Sequence, residues 1–103
     1  TEALELHREA FRVAEEFESL RGMCWALEGI AACHPDKPLA ATLLGCAAAT
    51  RATENYLMAA TETVDRDRAE AAALAALGVD AYEAARLRGA ALAPGQALQL
   101  LRD

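Results

Sequence analysis

The sequence predicts an all-α fold of antiparallel helical hairpins closed by a C-terminal helical cap, and two observations carry that reading. The first is composition: 103 residues contain 27 Ala and 15 Leu against three Val and one Ile. Ala and Leu lose little side-chain freedom on entering a helix, whereas β-branched residues favour strands. The second is spacing: apolar residues recur every three or four positions, in runs punctuated by Pro and Gly. The length suits one domain with a modest core, and an Ala-rich core lets helices approach closely.

The elements follow in order. Residues 2–18 form a first helix, in which Leu4, Phe11, Ala14 and Phe17 recur at helical spacing and Leu6, Ala10 and Val13 widen the stripe. Glu5, Arg8, Glu9, Arg12, Glu15 and Glu16 make its wet face. Ser19 and Gly22 mark a turn. A second helix over 21–33 turns Met23, Leu27, Ile30 and Ala31 to one side. Pro35 cannot continue it, and Pro38 suits the first turn of the next. The third helix, 38–54, is almost uncharged from Leu39 to Thr50, so it is expected to be the most buried. Gly45 inside it costs ~1 kcal/mol relative to Ala, which a close helix crossing would offset. Residues 55–63 carry the weakest signal. A fourth helix spans 64–77, with Thr63 as its expected N-cap and Gly78 as its stop. A fifth, 80–91, presents Tyr82, Ala85 and Gly89 on one side. Pro94 opens a short sixth, with Leu98 and Leu101 inward. The division is 1–54 for the hairpin region and 55–103 for the cap, within one domain.

Charge and cysteine usage exclude several classes. The net charge is −6, with eight acidic and four basic residues in 1–50 and eight and six in 51–103. No basic face builds up, which argues against direct nucleic-acid binding and against an anionic membrane surface. No apolar run approaches the length of a membrane span. Cys24, Cys33 and Cys46 are odd in number and lack a pairing motif, which points to a reduced, cytoplasmic setting. The start at Thr1, already helical in pattern, suggests a fragment of a longer protein.

Each candidate reactive group has a plainer role. Cys24 to Cys33 is too long for a zinc knuckle and no second pair exists, so packing is the better reading and no metal or cofactor is expected. Cys33 or Cys46 as a nucleophile needs a base. The only histidines are His7 and His34, and His34 points about 100° away from its neighbour Cys33 on a helix. Glu15, Glu16 and Glu18 read as a solvated face. Arg66, Arg68, Arg86 and Arg88 lie among Asp65, Asp67, Glu70 and Glu83, so surface ion pairs are expected. Trp25 is expected to pack between helices. No catalytic set emerges, and the chain is expected not to be an enzyme.

Small and large positions carry a resemblance. Ala3, His7 and Ala10, then Trp25 and Gly29, then Ala41, Gly45 and Ala48 resemble the helices of tetratricopeptide repeats, although His7 and Gly45 replace the usual residues and the turn at Pro35 is short. The wider order is Trp25 to Ala31, Leu43 to Ala47, Arg51, Arg66, Leu77-Gly78, Tyr82, Gly89 and Ala97-Leu98. It resembles the C-terminal region of actinobacterial LuxR and SARP-type transcriptional regulators that contain a STAND ATPase. The resemblance implies a tetratricopeptide-like right-handed stack and a non-catalytic interaction or regulatory module of a larger regulator. The ATPase and DNA-reading motifs are not in this chain. Residues 1–54 then read as the second helix of one repeat followed by a full hairpin, which leaves a face of the first helix uncovered. Leu4, Phe11 and Phe17 are the expected contact residues. Their partner would be upstream repeats of the parent chain or a second copy in a homodimer. The alternative is a small-ligand sensor with an effector pocket between the second, third and fifth helices, lined by Ala, Gly and Cys.

Overall fold

The structure is a computed structural model that describes residues 2–54 and 63–101. The fold is all-α, with six helices among the described residues: α1 (Glu2–Glu16), α2 (Leu20–Cys33), α3 (Lys37–Glu54), α4 (Thr63–Leu77), α5 (Val79–Ala90) and α6 (Pro94–Gln99). The expected elements fall within two residues of these limits at the ends that can be compared. Residues 55–62 lie outside the described residues, and with them the cap position of α4: the helix starts at Thr63 itself, one residue ahead of the expected start.

Local chemistry explains the punctuation. Ser19 caps α2, its hydroxyl accepting from the Gly22 N–H at 3.1 Å. The His34 N–H donates to the Ile30 carbonyl and closes α2, while its Nδ1 accepts from the Asp36 N–H at 3.1 Å. The Asp36 carboxylate then caps the next helix, accepting from the Leu39 N–H at 3.1 Å, with Pro38 in the first turn as expected. Gly78 stops α4 and precedes α5 at φ 82° and ψ 166°, a region open essentially to glycine alone.

The end of α1 holds a feature that residue identity conceals. Ser19 N–H bonds the Ala14 carbonyl at 2.8 Å and Glu18 N–H bonds that of Glu15 at 3.1 Å, the two bonds of a Schellman motif. Glu18 sits at its left-handed position, φ 54°, which glycine occupies at no steric cost. Glu18→Gly is expected to stabilise the fold by about 0.5–1 kcal/mol, the left-handed penalty less glycine's greater unfolded freedom. A urea midpoint that moves down would refute this.

One core cluster draws on both halves of the chain, from Phe11, Leu27 and Ile30 through Leu43 and Cys46 to Ala69, Ala97 and Leu98. The third helix is its hub, buried without interruption from Ala40 to Ala47. α1 pairs with α2, α2 with α3, and both α4 and α5 pack on α3. The two later helices touch each other far less than either touches α3. The single-residue turn at Gly78 therefore does not make α4 and α5 a hairpin of their own.

α5 runs antiparallel to α3 with backbones in contact. A Cβ on Gly89 would fall on the Thr42 carbonyl oxygen and 2.7 Å from its carbon, and one on Gly45 would fall on the Arg86 carbonyl oxygen. This is the close crossing expected at Gly45, with Gly89 as its counterpart.

Candidate docking face

α1 carries two apolar stripes. At 100° per residue, Leu4, His7, Phe11 and Ala14 lie on one side, and Ala3, Leu6, Ala10, Val13 and Phe17 follow a second, roughly 100° away. The first stripe meets α2. Phe11 is fully buried, Ala14 abuts Gly22, and the His7 ring lies against Gly29 and edge-on to Trp25, with centroids 5.6 Å apart. The second stripe faces out except at Ala10, which is half-buried against the core: Leu6 is 65% exposed, Val13 40% and Phe17 77%.

Two expectations are corrected here. Phe11 is not a surface residue, because it fills the α1–α2 interface, and Leu4 packs against the core from a partly buried position. Of the three expected contact residues only Phe17 stands free; α1 ends at Glu16 and position 17 continues the outer stripe. Trp25 is not core either: it is 43% exposed. Gly22 and Gly29 bring α1 so close to α2 that the indole is displaced to the flank. In an antiparallel pair of right-handed helices that flank is the one bearing Leu6, Val13 and Phe17. The opposite flank of α1 is charged, and there Glu5, Arg8, Glu9, Arg12 and Glu15 face Leu98 and Leu101 of the C-terminal segment across a cleft.

Several surface charges pair with neighbours close in sequence. Arg12 binds Glu9 and Glu16, Arg66 binds Asp67 and Glu70, and Arg86 binds Glu83. The Arg12 guanidinium holds the Glu9 carboxyl below its usual range, as Arg86 does for Glu83. Glu15, Glu16 and Glu18 are exposed, as a solvated run should be.

Inside, two thiols are held in their protonated form. Cys24 and Cys46 are fully buried, and the Cys46 thiol donates to the Leu92 carbonyl at 3.2 Å. Burial pushes the Cys24 thiol up to about 12 against the pull of Arg51, and the Cys46 thiol up to about 11. A nucleophile needs the opposite shift. Among the described residues no group of three or more His, Cys, Asp or Glu is placed to hold a metal ion, and no helix is long and apolar enough to cross a membrane.

The raised thiols have a pH consequence. Above the ordinary value of 9.0 the unfolded chain releases these protons while the native chain keeps them. Their contribution is complete below about pH 9 and declines as pH rises toward 11–12. The urea midpoint is expected to fall between pH 8.5 and 10.5, and to fall less in Cys24→Ala/Cys46→Ala. An equal fall in both proteins would refute the assignment.

Sequence reasoning missed one pair of residues. Glu28 and Arg51 form a bidentate ion pair between α2 and α3, with both distances 2.9 Å and side chains 3% and 6% exposed. The available signal was a lone charge in each of two otherwise apolar stretches, of opposite sign. The expected effector pocket between α2, α3 and α5 has a counterpart only at the ends of those helices, where Leu20 of α2 joins residues of α3 and α5 around an open cleft. At Gly45 the space is taken by the Arg86 backbone, and the cleft at the helix ends is lined also by Ala49, Thr50, Ala90 and Leu92.

Compared with known proteins, the chain matches no family model, no curated protein and no solved structure.

Proposed function

We propose that this chain is a non-catalytic helical interaction module that docks a partner helix on the outer flank of α1 and α2. The observation that carries the reading is the exposed stripe of Leu6, Val13 and Phe17 beside Trp25. Scattered apolar residues are ordinary on a surface, whereas large exposed ones aligned along one face of a helix mark a contact site. The row runs over four turns, from Ala3 to Phe17, a length of about 21 Å. A tetratricopeptide-like stack within a larger transcriptional regulator of the LuxR and SARP type, as the resemblance implies, would set another helix against both α1 and α2 at this flank. The effector-sensor reading would use the cleft at the helix ends, lined by Leu20, Ala49, Thr50, Ala90 and Leu92.

The test is selection from a helix-displaying peptide library on the immobilised chain. Enriched peptides should carry apolar residues at alternating three- and four-residue spacing and lose binding to Leu6→Glu/Phe17→Glu. Both substituted residues are exposed, so that variant should keep its helical circular dichroism. Binders indifferent to the double variant would place recognition elsewhere, and a library yielding no binders would remove the reading.

A further inference from the structure

The edge of the docking face carries information about its occupant. Glu2, Glu9 and Glu16 recur every seven residues along the solvent border of the outer stripe, and all three are exposed. Successive members are about 10 Å apart along the axis. Arg12 binds two of them from the far side, so three carboxylates and one guanidinium leave the border net negative. On the other border of the face, Arg21 accompanies Trp25.

We infer that the occupant is an amphipathic helix whose apolar stripe is flanked by Lys or Arg at seven-residue spacing, and not a second copy of this chain. The inference rests on the docking reading above and adds the charge of the partner. A second copy meets the glutamate row badly in either orientation. With two α1 helices antiparallel, the row on one faces the same row on the other, Glu against Glu. With them parallel, the row faces the positions of His7 and Ala14, which are turned into α2 and engaged there. Neither arrangement supplies a cation, and a third, with α1 of each copy over α2 of the other, brings only Arg21, at the Glu16 end of the row; like charges brought opposite one another oppose association. A partner with cations on that edge gains at each of three positions. Single exposed pairs contribute little, but three in register select between partners and steer their approach.

Two synthetic 18-residue peptides test this. They share one Leu stripe and differ only in the edge residues, Lys in one and Glu in the other. Trp25 is the only tryptophan in the chain and lies in the face, so its emission reports coverage directly. The Lys-edged peptide should shift the emission to the blue and bind at least about tenfold more tightly than the Glu-edged one at low salt, a preference that shrinks at 0.5 M salt. Glu9→Lys/Glu16→Lys should reverse the order of the peptides. Asp67→Lys/Glu70→Lys on α4 makes the same change in net charge and should leave the order intact, which separates the local row from the overall negative charge. Equal binding of the two peptides would overturn the inference and leave the docking reading standing. A wild-type chain that sediments as a dimer with Trp25 covered would also overturn it, in favour of the second copy. If neither peptide binds and the chain stays monomeric, the docking reading itself falls.

Discussion

Gly89→Ala should destabilise the fold by about 3 kcal/mol or more, which is ~10–20 °C in melting temperature for a domain of this size. Helix propensity alone argues the other way, since Ala is about 1 kcal/mol better than Gly inside a helix. Packing decides the sign. The added Cβ would come within 1.7 Å of the Thr42 carbonyl oxygen, and backbone cannot swing aside as a side chain can. α3 and α5 would have to separate, opening the largest helix contact in the molecule. Gly45→Ala should behave alike, because its Cβ meets the Arg86 backbone. Gly95→Ala is the control: its nearest neighbour is the Glu15 carboxylate at 3.6 Å, an ordinary contact, and its effect should be small. Urea unfolding of the three variants checks the order. A neutral or stabilising Gly89→Ala would mean that α3 and α5 do not touch through their backbones.

Arg51→Met should cost about 3–5 kcal/mol, because it strands the Glu28 carboxylate inside the protein. Both side chains are buried and their two hydrogen bonds are short and parallel, so neither partner has water to fall back on. The pair itself does not have to be a net source of stability. Desolvating two ions offsets most of their attraction, and apolar replacement of such pairs is often neutral or stabilising. Glu28→Leu/Arg51→Met should therefore recover most of what Arg51→Met loses. A double-mutant cycle read by urea unfolding measures the coupling. If the double variant is as unstable as the sum of the two singles, the pair is not acting as a coupled unit.

These two results also mark what the chain discloses by itself. Helix limits were legible because Pro35, Pro38, Gly78 and Pro94 act on the backbone locally, and a local rule needs only a local reading. The burial of α3 was legible because a long uncharged run has nowhere else to go. The buried pair was not, since Glu28 and Arg51 stand 23 positions apart and each resembles an ordinary surface residue. α1 failed for a different reason. Its apolar residues cover about half its circumference, enough for two neighbours, and periodicity does not say which half a given neighbour takes. Phe11 and Phe17 are chemically alike, and only the position of α2 makes one core and the other surface. Trp25 was misplaced by the same ambiguity, because its size argues for burial while the glycines on either side of it leave no room between the helices.

The crossing of α3 and α5 has a consequence for hydrogen bonding. Where a Cβ would strike the Thr42 and Arg86 carbonyl oxygens, each glycine instead directs a Cα hydrogen at them. The two helices are thus joined by reciprocal Cα–H···O contacts, weak individually, in which a carbonyl belonging to one helical ladder takes a carbon donor from the other. Two of the least reactive atoms in the protein become the fasteners between its central helices, and the Gly45 and Gly89 Hα resonances, drawn downfield, report whether that joint is closed.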